Sequence, residues 1–234
     1  MIIGNWKLNH LKAQTLEVLD QLIAGLGDLE LAVAPVVTLL GLACERVRGT
    51  KLKIAAQNVF YASHGAYTGE WSVGHLKELG VSMAIIGHSE RRQYFCETSE
   101  SVAQKSKACL DGGLTPIVCI GESLSERESG KARQVIEKQL EPVLKINPPE
   151  KLVIAYEPVW AIGTGKNATP EEIQEMHAFL RAHTSTKTRL LYGGSVNANN
   201  AAQVLGVPNV DGALVGGASL EARSLLAIAR AVSK

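Results

Sequence analysis

Short apolar runs alternate along the whole chain with stretches in which apolar residues return every three or four positions. The runs are Met1 to Trp6, Leu31 to Pro35, Ile54 to Ala56, Val81 to Ile86, Thr115 to Ile120, Val153 to Tyr156, Arg189 to Tyr192 and Ala213 to Val215. Each is too short for a helix and most are bounded by Gly or Pro, so each predicts a strand. The helical spacings lie between them. Leu16, Leu19, Leu22, Ile23 and Leu26 predict a first helix, with Thr15 or a neighbour as its cap and Gly25 and Gly27 as its stop; Leu39, Leu40, Ala43 and Val47 predict a second, stopped at Gly49. Further helices are predicted at Val73 to Leu79, at Thr98 to Leu110 with Gly112-Gly113 as terminator, and at Lys131 to Leu144, which Pro142 kinks or ends. The last three are a helix carrying Ile173, Met176, Phe179 and Leu180, then Ala198 to Leu205, and Ser219 to Val232. Strands alternating with helices imply a parallel sheet, and eight such units close into a (β/α)8 barrel, one α/β domain over residues 1–234. An open doubly wound sheet is the alternative, but it wants a glycine-rich dinucleotide turn after its first strand, and Gly4-Asn5-Trp6-Lys7 is not one.

Two connections break the regular alternation. After Tyr156 the chain passes Glu157 and Pro158, an apolar segment Val159-Trp160-Ala161-Ile162, and Gly163 and Gly165, before Thr169-Pro170-Glu171-Glu172 opens a helix with a capping box and a proline at its first position. This reads as a carboxylate at a strand end followed by a hinged apolar lid, the kind of segment that excludes water from a site; an ordinary strand-to-helix loop with a surface Glu is the plainer reading. The second is the long connection from Gln57 to Trp71, with Phe60, Tyr61 and Tyr67. A loop this long inside a compact domain is usually functional, and its aromatics suit burial in a partner or folding upon themselves.

Composition narrows the classes. Lys and Arg number 24 against 23 Asp and Glu, a net charge of +1, so no global field recruits nucleic acid or an anionic membrane. The apolar residues come in short runs, none long enough to span a bilayer, and the N-terminal residues lack the pattern of a secretory signal, which leads us to expect a cytoplasmic protein. Cys44, Cys96, Cys109 and Cys119 stand singly, without metal-ligand spacing, and read as reduced packing thiols.

The barrel topology then supplies the chemistry, because the C-terminal strand ends of a barrel converge on one face. Asn5 and Lys7 follow the first strand, His88 the fourth, Glu157 the sixth, Gly193-Gly194-Ser195 the seventh and Gly216-Gly217 the eighth. The two glycine pairs let backbone N–H groups approach a phosphate, with a short helix near Gly217-Ala218 adding its positive end. His88 precedes a helical turn, Ser89-Glu90-Arg91-Arg92, whose N-terminus disfavours the charged imidazole. Burial beneath an apolar lid suits Glu157 to a base, and Lys7 balances the charge of a bound anion. A carboxylate base beside a neutral hydrogen-bond donor fits abstraction of a proton next to a carbonyl and stabilisation of an enediolate. The remaining histidines, His10, His64, His75, His177 and His183, read as structural. Two other functions stay open on the residues: an aldolase using Lys7 as a Schiff base, and a catalytically silent barrel kept for binding.

Asn5-Trp6-Lys7, Gly87-His88-Ser89-Glu90-Arg91-Arg92, the run from Ala155 to Lys166, Tyr192-Gly193-Gly194-Ser195 and Val215-Gly216-Gly217 occur in this order, and through them the chain resembles the triosephosphate isomerase family over nearly its whole length. The resemblance implies a TIM barrel that interconverts dihydroxyacetone phosphate and glyceraldehyde 3-phosphate without cofactor or metal. It implies Glu157 as the catalytic base, His88 as the electrophile, Lys7 as electrostatic stabiliser, Asn5 and Trp6 as substrate-binding residues, and Gly163, Ser195, Gly216 and Gly217 as the phosphate site. Cys119 and Glu90 fall at family positions near the site. The family is typically homodimeric, its long third loop inserted into the neighbour, which here brings Tyr67 and Thr68 toward the partner subunit's Asn5 and Lys7. The chain departs from the family pattern at Val36, where a second Pro is common, and at Val73-Gly74, which replaces a Pro-containing helix start.

Overall fold

Side chains on a strand alternate between its two faces, and in this protein both faces are apolar. The computed structural model describes residues 1–162 and 167–232. Eight parallel strands pair in sequence order and close, β1 (Ile2–Asn5), β2 (Leu31–Ala34), β3 (Lys53–Ala56), β4 (Met83–Ile86), β5 (Thr115–Ile120), β6 (Val153–Tyr156), β7 (Arg189–Tyr192) and β8 (Gly212–Val215). The seam is β1 on β8, with Ile2 opposite Ala213 and Gly4 opposite Val215. One set of alternate residues, including Ile3, Ala32, Ala34, Ala55, Ile85, Ile117, Cys119, Ala155, Leu191 and Leu214, fills the inside of the barrel. The other set, with Ile2, Val33, Ile54, Ile86, Val118, Ile154 and Tyr192, faces the helices and forms the larger core. Burial on both sides is why the strands read as continuous apolar runs instead of alternating ones.

The helices are α1 (Lys12–Gly25), α2 (Leu40–Val47), α3 (Val73–Leu79), α4 (Ser89–Phe95), α5 (Ser99–Gly112), α6 (Leu124–Glu128), α7 (Ala132–Ile146), α8 (Pro170–His183), α9 (Ala201–Leu205) and α10 (Ala222–Arg230). Helix α8 starts as its sequence predicts: Thr169 and Glu172 exchange hydrogen bonds at 3.2 and 2.8 Å, with Pro170 as the first helical residue. Four expectations need correction. Thr15 does not cap α1; it lies buried within the helix, which begins three residues earlier, where the Gln14 side chain accepts the Leu11 N–H at 3.0 Å. Pro142 does not end α7, which continues to Ile146 with Leu140 and Val143 buried on its inner face, so packing outweighs the lost N–H. The last helix begins at Ala222, after a 3-10 turn over Gly217–Ser219. Cys96 is not a packing thiol, because it sits exposed at the left-handed C-terminus of α4; the other three cysteines are buried and all four are free. No helix among the described residues is long and apolar enough to cross a membrane.

The long third connection takes both of its sequence readings in part. Phe60 stacks on Tyr61 at 4.4 Å and lies against Tyr67 at 4.6 Å, and its N–H donates to the Trp71 carbonyl at 2.9 Å, so the base of the loop folds upon itself. Tyr61 and Tyr67 nevertheless remain exposed.

Candidate active site

The C-terminal strand ends surround a cavity of about 300 Å³ lined by Asn5, Lys7, His88, Glu157, Ser195 and Gly216, with Gly193, Gly194, Gly217 and Ile162 completing its wall. Its polar groups come from five different strands, and each has a local reason for its position.

Asn5 ends β1 and turns the chain, its side-chain oxygen accepting the Lys7 N–H at 3.1 Å. Lys7 itself holds a left-handed φ of 51°, a conformation costing a non-glycine residue roughly 1–3 kcal/mol. Gln57 holds it there, since its side-chain amide donates to the carbonyls of Lys7 and Ala34, both at 2.8 Å. The ammonium reaches Glu90 Oε1 at 2.6 Å. Trp6 is fully buried beneath this turn and does not line the cavity. Its indole N–H donates to the Ser219 carbonyl at 3.0 Å, tying the turn after β1 to the turn after β8.

His88 follows β4 and is the N-cap of α4, 6% exposed, with Nδ1 accepting the Glu90 N–H at 3.2 Å. That bond places the ring proton on Nε2, which lies 2.9 Å from Glu157 Oε1. Burial works against a charge on this imidazole, but the adjacent Glu157 carboxylate, helped by Glu90, outweighs it and holds the His88 pKa above the ordinary histidine value. The sequence reading, which weighed only the helix N-terminus, pointed the other way; it had no view of a carboxylate from β6 in contact with the ring.

Glu157 is 1% exposed. Its backbone N–H extends the barrel ladder to the Ile120 carbonyl at 2.7 Å, and its Oε2 accepts the Ser89 N–H at 2.8 Å. Oε1 has no well-aligned hydrogen bond among the described residues, although His88 Nε2 is near enough for strong charge attraction. Two glycines make room for this residue: a Cβ at Gly121 would collide with the Glu157 backbone carbonyl, and one at Gly193 would stand 2.9 Å from Glu157 Cγ. Cys119 lies beneath, fully buried, and burial together with Glu157 pushes its thiol far above the ordinary range, so it is an inert filler.

At the other end of the cavity the wall is backbone. Gly193, Gly194, Gly216 and Gly217 leave the turns after β7 and β8 bare of side chains, and Ser219 Oγ donates to the Gly216 carbonyl at 2.6 Å to close the second turn. Ser195 Oγ donates to the Ala161 carbonyl at 2.7 Å, joining this end to the segment after Pro158. Of that segment Ile162 lines the cavity, while Gly163 lies outside the described residues.

Sequence reasoning missed Glu122. It is wholly buried at the end of β5, and its Oε1 accepts the Tyr156 hydroxyl at 2.9 Å and the Trp160 indole N–H at 3.0 Å, with Arg127 at 3.4 Å. Arg127 also lies over the Trp160 ring at 4.9 Å. A Glu directly after a glycine at a strand end was the available signal. Glu90, which the sequence left without a role, is the partner of Lys7 and sits 3.7 Å from His88 Nδ1. No group of three or more His, Cys, Asp or Glu among the described residues is arranged to hold a metal ion.

The arrangement is a buried carboxylate against an imidazole at one end, a cation at the side and glycine backbone at the other. Comparison with known proteins places the whole chain. The family model for triosephosphate isomerase matches residues 1–232. The chain is 46% identical to a triosephosphate isomerase of Paracidovorax citrulli, covering 100% of this chain and 98% of that protein. It is 47% identical to that of Delftia acidovorans, over 97% and 96% of the two chains, and 46% identical to that of Citrifermentans bemidjiense, over 98% and 97%. The chain therefore belongs to the triosephosphate isomerase family.

Proposed function

We propose that the protein interconverts dihydroxyacetone phosphate and D-glyceraldehyde 3-phosphate by proton transfer through an enediolate, without a cofactor, as a cytoplasmic homodimer. The observation that carries the reading is the 2.9 Å approach of the Glu157 carboxylate and His88 Nε2 at one end of a cavity whose other end is glycine backbone. The phosphate lies against Gly193 to Ser195 and Gly216-Gly217, and Asn5 borders the triose. Its carbonyl then reaches the space between Lys7 and His88.

Glu157 removes a proton from the carbon beside the carbonyl; the C–H electron pair becomes the C=C bond of the enediolate and the carbonyl π pair moves onto oxygen. The Nε2–H of His88 and the ammonium of Lys7 meet that oxygen as its charge develops. His88 gives its Nε2–H to that oxygen and takes up the hydroxyl proton of the adjacent one, so the O–H and O⁻ ends of the enediolate are exchanged; Glu157 then returns its proton to the neighbouring carbon, and ketose becomes aldose. A substrate oxygen at His88 takes the place of Glu157 against the ring. The main influence raising the imidazole's pKa is thereby weakened, leaving burial, the Glu90 amide and Lys7 to favour the neutral donor against the smaller upward pull of the Glu90 carboxylate. The lid contributes apolar cover through Ile162, and Glu122 anchors its start through Trp160. The Schiff-base reading of Lys7 fits less well, because the ammonium is held in an ion pair with Glu90 and not in an apolar pocket.

The dimer reading rests on a second cavity, of about 350 Å³, that adjoins Lys7, His88 and Glu90 and is bordered by Leu8, Val37, Tyr94 and Phe95, all exposed. An apolar mouth beside the site matches the loop tip at Tyr67 and Thr68 from a second copy of this chain.

A coupled assay with glyceraldehyde 3-phosphate tests the chemistry. Turnover is expected in the wild type without added metal or nucleotide. In Glu157→Gln it should fall by at least about 100-fold with phosphate binding nearly intact, the usual worth of a general base. Equal turnover in the two proteins removes Glu157 from its role.

A further inference from the structure

The steps above leave the half-buried guanidinium of Arg92 unused. Strands β4 and β5 stay paired as far as Ile86 and Val118 and then part, β4 turning through Gly87 into His88 and β5 running on to Gly121. The guanidinium of Arg92, from the last turn of α4, fills the fork between them. Its Nε–H donates to the Gly87 carbonyl at 2.8 Å, one Nη donates to the Cys119 carbonyl at 3.3 Å and the other to Ser99 Oγ at 3.1 Å. Gly87 holds a φ of +71°, and a Cβ there would stand 2.8 Å from Val102 and 3.0 Å from the Arg92 guanidinium. The peptide that aims the imidazole is thus clamped from one side by packing and from the other by Arg92. The same side chain borders a cavity of about 380 Å³ behind Glu157, shared with Ser89, Gly121 and Gln139.

We propose that Arg92 is a positioning residue for the proton transfer: by bridging the Gly87 and Cys119 carbonyls it fixes the angle at which His88 presents Nε2–H to the substrate oxygens. The inference rests on the isomerase reading of His88. Only a planar fork of donors spans two diverging carbonyls and a hydroxyl; a lysine ammonium in that place satisfies one carbonyl and lets the other drift. The third bond, to Ser99, leads away from the site into α5 and serves as an internal control.

The test compares Arg92→Lys, Arg92→Met and Ser99→Ala by steady-state kinetics and thermal melting. Misplacing a catalytic group by about 1 Å can cost on the order of 100-fold in rate. We therefore expect kcat to fall about 10-fold in Arg92→Lys and on the order of 100-fold in Arg92→Met, with KM within about 2-fold of wild type. Ser99→Ala should keep both constants, and the ring-nitrogen NMR signals of His88 should shift in the two Arg92 variants alone. Wild-type kcat in Arg92→Lys overturns the proposal. So does an unshifted His88 signal, or a loss of kcat that only follows the folded fraction, which makes Arg92 a stability residue. Absence of turnover in the folded wild-type protein defeats the isomerase reading instead, before any variant is compared.

Discussion

Two buried histidines of this protein are pushed in opposite directions by their surroundings, and the difference is one of partners. His88 has a carboxylate against it. His177, wholly buried on α8 beside the Tyr156 and Tyr192 rings, has a backbone carbonyl, Asn209 at 3.0 Å from Nδ1, and no partner for Nε2 among the described residues. Burial lowers its pKa to about 4, against smaller upward pulls from Asn209 and Asp211. Once unfolded, the same side chain takes up a proton near its ordinary value of about 6.5. The unfolded state therefore binds the proton first, and the stability gained by burying neutral His177 is complete above that pH and drains away as pH falls toward 4. Urea unfolding at pH 7.5 and pH 4.5 should show the wild type losing roughly 2–3 kcal/mol more than His177→Gln between the two conditions. An identical pH dependence in both proteins would show that His177 is not the group responsible. At this scale the sequence was readable where a residue ended a strand, as for Lys7, His88 and Glu157. It was silent on Glu122, and it named Trp6 as substrate-binding without sight of the Ser219 carbonyl that holds the indole; both side chains meet partners more than thirty positions away.

Elements were legible to the degree that one period governed them. The strands are apolar on both faces, so even four residues stand out from their surroundings. Helix α6 spans only Leu124–Glu128 and presents no repeat to detect. Helix α1 hid its start because the Leu11 turn is closed by a glutamine and not by a capping hydroxyl at Thr15. Where local chemistry and tertiary need coincide, the boundary is sharp, and α8 is the example. Thr169 caps it, while Glu172 both closes the capping box and pairs with Arg127 at 2.9 Å, the residue that covers Trp160. Thr169→Ala should lower unfolding free energy by about 1 kcal/mol. Glu172→Ala should cost more, since it also removes a partly exposed ion pair worth up to about 1 kcal/mol. Denaturant titration of both variants checks the order, and a larger loss in Thr169→Ala would show that the Arg127 pair adds nothing.

For the whole molecule, the eightfold alternation of strand and helix carried the barrel and the convergence of Asn5, Lys7, His88 and Glu157 on one cavity, because the topology leaves few ways to arrange such units. The surface was less legible, since no period marks an exposed residue that meets another chain. Leu8 and Leu11 are 93% and 79% exposed, and Tyr94 and Phe95 are similarly bare. Placing a charge at the loop tip tests whether a second copy covers this face. Tyr67→Asp should sediment as a monomer with turnover reduced at least about 10-fold, because an unpaired carboxylate in a buried contact costs several kcal/mol. A wild-type protein that is monomeric and fully active at assay concentration would sink the dimer.

The seam between β1 and β8 also sets an order in time. The first strand emerges from the ribosome with one edge that has no partner until the final strand follows, nearly the whole chain later, and an unpaired edge of this kind invites wrong pairings. Gly216-Gly217 comes directly after that last strand. The turn proposed to complete the phosphate site is thus synthesised only when the barrel is able to shut, and a nascent chain that still exposes its sticky first strand lacks that part of the site.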